Sequence, residues 1–136
     1  MKYRLINQYK YQLIGDHTEH LSNVFCKFIS TDWITVNGDK ITIKSGYCWD
    51  GASCAIDTKD FMVASLVHDA LYQLIRLEYV SKDKRKLADL ILNELCLKYG
   101  MSKFRASYVY WAVRTFGGKH IQIGKPQDTI VEIQEG

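Results

Sequence analysis

The chain predicts an α+β fold, a small N-terminal antiparallel sheet followed by a three-helix body. Three observations lead there. Up to about residue 48, β-branched and aromatic residues alternate with polar ones. From residue 57 onward the apolar residues recur at helical spacing, and a glycine-containing loop over 49–57 separates the two textures. At 136 residues the chain reads as one domain, 1–136, with enough length to bury a core.

In the first part, "NVFCKFIS", "DWITV" and "KITIKSGY" imply an antiparallel sheet of three or four short strands within 1–48. Asn37-Gly38, in "VNGDKITI", lies between two such runs and signals a hairpin. In "GYCWDGASCA", Gly46 and Gly51 permit tight backbone turns, and Asp50-Gly51 is itself a turn pair.

Asp57 and Thr58 can cap a first helix running to about residue 79, with Phe61, Ala64, His68, Leu71, Tyr72 and Ile75 along one side. Ser81 can cap a second over 82–99, stopped by Gly100 at a natural C′ position. Ser102 opens a third, ending near Phe116 before Gly117-Gly118. The tail, 119–136, offers a short strand at "HIQI" and a loose end.

Composition narrows the function classes. Apolar residues make up 47% and charged residues 24%, an ordinary globular balance. The net charge of +3 is spread along the chain, so no nucleic-acid partner is expected. Lys82, Lys84, Arg85 and Lys86 read as a solvated surface turn. The N-terminal "MKYRLINQYKYQLIG" has neither an apolar h-region nor a small-residue cleavage site, and no segment is apolar for long enough to span a bilayer. Cys26, Cys48, Cys54 and Cys96 contain no C-x-x-C pair, which argues for reduced thiols over structural zinc. Spacing alone leaves a Cys48–Cys54 bridge open.

The chemistry concentrates in "SLVHDALYQL". His68 and Tyr72, four residues apart, share a helix face, while Asp69 points about 100° away. Asp89 sits among apolar neighbours in "KLADLILNEL", and a carboxylate in such a segment needs a partner. An antiparallel hairpin turning at Val80 and Ser81 places His68 roughly 9–12 residues before the turn and Asp89 roughly 7–8 after it. The mismatch along the axis is about 2–8 Å, so the spacing permits a His68–Asp89 hydrogen bond. The loop before the first helix can aim several carbonyls at one point, and with Asp69 nearby it can form an oxygen-rich site for a hard cation such as Ca²⁺. The plainer alternatives are a satisfied core pair and a structural turn.

"WDGAS" at 49–53, "HDALY" at 68–72, "AD" at 88–89 and "AVRTFGG" at 112–118 together resemble a largely phage- and prophage-encoded family of uncharacterised proteins, domain of unknown function 1353. The resemblance spans roughly residues 40–120. After "GAS" this chain continues "CAID", where the family commonly has a proline. More widely, His-Asp-x-x-Tyr on a helix, a glycine-containing loop before it and an Asp on the following helix look like phospholipase A2. The loop is less glycine-dense than a phospholipase calcium loop. That resemblance implies a phospholipase A2-like helix hairpin and a Ca²⁺-dependent ester hydrolase. His68 would be the general base, Asp89 its orienter and Tyr72 the donor supporting Asp89, with Tyr108 or Tyr110 as a second support. Asp69 would bind Ca²⁺, joined by the loop at Tyr47, Trp49, Asp50 and Gly51.

Two other readings compete. Metal-dependent phosphohydrolases also use a His-Asp doublet but need further histidines, and His17 and His20, in "GDHTEH", read as solvent-facing loop residues. In a non-enzymatic reading the chain is a phage accessory protein (virion, lysis-module or host-defence inhibitor) whose His–Asp–Tyr cluster pins two helices together. Its partners are then a phage or host protein in place of phospholipid or another ester, and its setting the host bacterial cytoplasm or the virion. Arg114 reads as a salt-bridge or helix-end charge. No cationic or tryptophan-rich membrane-docking face is legible, though Trp33, Trp49 and Trp111 could contribute to one.

Overall fold

The computed structural model describes residues 1–7, 10–50 and 58–121. Within them the α+β class is borne out, with strands first and helices after. The strands β1 (Lys2–Asn7), β2 (Lys10–Ile14), β3 (His17–His20), β4 (Cys26–Ser30), β5 (Ile34–Gly38), β6 (Lys40–Ile43) and β7 (Cys48–Trp49) form two antiparallel sheets. One has the order β1-β2-β7, the other β3-β6-β5-β4. This exceeds the three or four strands expected, because Tyr3 and Leu5, like Tyr11 and Leu13, also follow a two-residue period and pair as a hairpin.

The β5–β6 hairpin turns one residue later than Asn37-Gly38. Asn37 pairs with Lys40, so Gly38 and Asp39 are the central residues, and Gly38 supplies the left-handed φ of 67°. On the inner face Ile34 pairs with Ile43 and Val36 with Ile41, and all four are fully buried. The same period carries β3 into the core. Glu19 lies opposite Ile41, so its carboxylate points inward, while His20 is exposed and His17 half-buried. His17 and His20 are therefore strand residues and not the loop residues expected.

A buried carboxylate at Glu19 needs donors, and it has three. His17 Nε2 and Tyr99 Oη reach Oε1 at 2.8 Å each, and Lys98 Nζ reaches Oε2 at 2.5 Å. Burial pushes this carboxyl up, but the bonds from His17, Lys98 and Tyr99 outweigh it and bring the pKa to about 2.

The helices are α1 (Lys59–Arg76), α2 (Arg85–Lys98) and α3 (Lys103–Phe116). α1 packs against β6 and β7 as well as α2, so it is buried almost all round. It ends three residues short of 79 because Glu78, at φ 64°, reverses the chain. Tyr79 N–H bonds to Leu74 O and Glu78 N–H to Ile75 O, a Schellman closure made without glycine. α2 ends in the same way with glycine: Gly100, at φ 99°, lets Met101 N–H reach Cys96 O. Ser81 caps a short 3₁₀ turn (Lys82–Lys84) ahead of α2, and Ser102 caps α3 through Arg105 N–H.

Thr58 precedes α1, but its hydroxyl bonds the Asp60 carboxylate in place of a backbone N–H. Asp57 lies outside the described residues. The strand expected at "HIQI" is not found at its first two positions, because a 3₁₀ turn spans Gly117–Ile121; the other two lie outside the described residues. Cys48 is a free, buried thiol whose Sγ–H donates to Gly46 O at 3.5 Å, and Cys54, its suggested partner, lies outside the described residues. No helix among the described residues is long and apolar enough to cross a membrane.

The Glu19 cluster ties β3 to the end of α2 and makes stability acid-sensitive. A carboxylate with a depressed folded pKa contributes stability above its unfolded pKa of about 4.3 and loses it as pH falls toward the folded value. With a folded pKa of about 2, chemical denaturation should show stability falling across that window, and Glu19→Gln should flatten the fall.

Candidate functional site

The helical hairpin brings two predicted residues into contact. His68 Nε2 lies 2.7 Å from Asp89 Oδ1, and Asp89 is fully buried. An ionised carboxylate only accepts, so Nε2 carries the proton of the neutral imidazole. Nδ1 has no hydrogen-bond partner among the described residues, and 9% of the His68 side-chain surface stays exposed. Tyr72 lies one turn further along α1, its ring 4.1 Å from the imidazole between centroids. Its hydroxyl donates to the same Oδ1 at 2.5 Å.

The other oxygen of Asp89 faces two guanidinium groups. Arg114 Nη1 donates to Oδ2 at 2.8 Å, and Arg85 Nε lies 4.0 Å from it. Burial pushes the Asp89 carboxyl up, but the hydrogen bonds from His68, Tyr72 and Arg114 hold it below its ordinary value. Burial, with the bond to Asp89 and its charge, pushes the Tyr72 phenol well up, which keeps it a donor.

Arg85 does more than balance charge. Its Nε donates to Tyr72 Oη at 3.2 Å, and its Nη2 donates to Val113 O at 2.7 Å and Arg114 O at 2.9 Å. It thus satisfies carbonyls at the end of α3 with a cation, where the helix dipole favours one. The solvated turn expected for Lys82, Lys84, Arg85 and Lys86 is corrected at Arg85, which is half-buried in this network. Its position four residues before Asp89 was the available signal, since that spacing places both on one helix face. Arg114 forms the salt bridge expected of it.

Tyr108 does not support Asp89. Ala106, Val109 and Ala112 define the inward face of α3, which leaves Tyr108 half-exposed and stacked on Trp111, with centroids 6.0 Å apart. Tyr110 makes no bond to Asp89 either, and Arg114 holds the position expected of a tyrosine.

Asp69 is half-buried and its Oδ2 accepts the backbone N–H of Asp50 at 3.3 Å. The Asp50 carboxylate is 3.9 Å from Lys10 Nζ. Tyr47 O accepts Leu13 N–H at 2.8 Å and Tyr47 Oη donates to Gln73 Oε1 at 2.9 Å. Trp49 pairs with Tyr11 in the sheet, and its indole N–H donates to Ser65 Oγ at 3.0 Å, three residues before His68. Gly51 lies outside the described residues. Carboxylate and carbonyl oxygens suit a hard cation in kind, but Tyr47 and Trp49 are engaged by β2. Among the described residues no group of three His, Cys, Asp or Glu side chains could hold a metal. Asp69 offers one carboxylate toward the six to eight oxygens that Ca²⁺ takes, and residues 51–57 of the loop expected to supply others lie outside the described residues.

The family model described as Protein of unknown function (DUF1353) matches residues 28–113, more than half of the chain. No curated protein and no solved structure matches.

The network also accounts for the first of the two glycines after α3. A Cβ on Gly117 would stand 2.8 Å from Tyr72 Oη, whereas one on Gly118 would meet nothing closer than 3.7 Å. Gly117→Ala should therefore destabilise the fold by about 1–3 kcal/mol, as overpacking does, and Gly118→Ala should be near neutral. Thermal or denaturant melts of the two variants provide the comparison.

Proposed function

The chain belongs to this family of unknown function, and from its site we propose a hydrolase that activates water against a carboxylic ester, with phospholipid as the substrate class. One observation carries the reading: the 2.7 Å bond from His68 Nε2 to the buried Asp89, which leaves Nδ1 as the basic nitrogen. This supports a water-activating imidazole whose tautomer and orientation are fixed.

In the reaction, water oxygen bonds to the ester carbonyl carbon as one water proton passes to His68 Nδ1. Asp89 steadies the imidazolium, while Tyr72 and Arg114 hold the carboxylate in place. The tetrahedral intermediate breaks its carbon–alkoxide bond, and the imidazolium returns the proton to the leaving oxygen. Acid and alcohol result. Asp69 is the residue that would hold Ca²⁺, which when bound would polarise the carbonyl and stabilise the developing oxyanion. The phage or prophage setting belongs to the same proposal.

A structural reading has an observation of its own. Asp89 is wholly buried between two arginines, and such a network can lock α1, α2 and α3 without any reaction.

Fatty-acid release from mixed phospholipid vesicles, and cleavage of a soluble short-chain ester, separate the two. Wild type should hydrolyse, and His68→Ala or His68→Gln, folded by circular dichroism, should lose about 10²–10⁴-fold in rate. An inert wild type, or a folded variant with full activity, overturns the reading. Calcium should raise the melting temperature of wild type and leave that of Asp69→Asn unchanged. Equal response of the two proteins removes Asp69 as the ligand.

A further inference from the structure

Outside the Asp89 network, the most distinctive surface is the outer face of α3. Phe104, Tyr108, Trp111 and Phe116 are between 50% and 85% exposed. Tyr108 and Trp111 stack with centroids 6.0 Å apart, and Trp111 meets Phe116 edge-on at 5.9 Å. At about 150–250 Å² per aromatic side chain, these four leave about 500 Å² of largely apolar surface in water. That lies near the upper end of the largest patch an ordinary monomer exposes, about 300–600 Å².

The charge that α3 itself carries has one sign. α3 contains Lys103, Arg105 and Arg114 and no Asp or Glu. Arg105 pairs with Asp60 and Arg114 with Asp89, which leaves Lys103 before the stripe and Lys119 after it, both exposed. Aromatic rings between lysines suit a surface whose outer layer is anionic and whose next layer is apolar.

We propose that the aromatic stripe of α3 docks this protein on an anionic lipid surface, with Trp111 and Phe104 entering the headgroup–acyl boundary and Lys103 and Lys119 contacting acidic headgroups. A second copy of the chain fits less well. An antiparallel two-fold pairing centred on Trp111 sets Lys103 of one copy against Lys119 of the other, with no carboxylate in α3 to offset them. The stripe also falls short of the roughly 800 Å² per partner of a standard protein interface. A lipid surface asks for no such minimum, because each side chain inserts on its own. The proposal extends the lipid-ester reading of the His68 site, yet binding can be measured without turnover.

The test is co-sedimentation of the full chain with vesicles of equimolar phosphatidylcholine and phosphatidylglycerol, and with vesicles of phosphatidylcholine alone. Wild type should pellet with the mixed vesicles, less so at high salt and far less with phosphatidylcholine. The exposed double variant Phe104→Ser/Trp111→Ser, with an unchanged circular dichroism spectrum, should bind the mixed vesicles about tenfold more weakly. A wild type that ignores both vesicles overturns the proposal, as does a double variant that binds like wild type. A wild-type dimer that the double variant dissociates assigns the stripe to a second copy and also overturns it. Vesicle binding without hydrolysis would remove the ester reading and leave docking intact. Cleavage of a soluble ester without vesicle binding would do the reverse.

Discussion

Asp89 is the constraint on which the helical body depends. A carboxylate with no solvent exposure survives only if every lone pair that faces a donor is used. Here Oδ1 takes the imidazole of His68 and the phenol of Tyr72, and Oδ2 takes the guanidinium of Arg114, with Arg85 close by. These partners come from all three helices, so one buried charge fixes the rotation of each about its axis. Removing one partner of such a group ordinarily costs about 3–5 kcal/mol, more than a surface ion pair contributes.

Glu19 repeats the device at the C-terminal end of α2. It too is an inward carboxylate with one shared and one single oxygen, and its partners also bridge separate elements, β3 and the end of α2. The sheet is thereby tied to the far end of the helix that carries Asp89. The apolar core includes Ile34, Val36, Ile41, Ile43 and the buried residues of α1. Direction comes from the charged pins, since apolar packing alone tolerates small rotations and slips.

His68 is the member of the Asp89 network whose chemistry is left unspent. Asp89, Tyr72, Arg85 and Arg114 satisfy one another, while Nδ1 of the imidazole has no partner among the described residues and a sliver of its surface stays exposed. Trp49 and Asp50 reach α1 close by, through Ser65 and Asp69, so the strand before the loop is anchored within a turn of that nitrogen. That nitrogen, which no described residue engages, therefore lies on the part of α1 to which Trp49 and Asp50 are tied. The aromatic face of α3 belongs to the same helix that supplies Arg114, which couples the outer surface to the inner network through one rigid element.

The linear order of residues was sufficient for what depends on local geometry. The change of hydrophobic period set the α+β class, Ser102 and Gly100 marked helix ends, and four-residue spacing put His68 and Tyr72 on one face. The Asp89 partner of His68 was within reach of the same logic, because a 1.5 Å rise turns residue numbers into distances along a hairpin. Rotation about the helix axis was not, and it decided the rest. It turned Tyr108 outward into the aromatic stripe, brought Arg114 to the carboxylate instead, and folded Arg85 out of its basic surface cluster onto the end of α3. Strand pairing likewise turned Glu19 into the core. Spacing along a chain determines which side chains share a face; only packing between elements determines what that face meets.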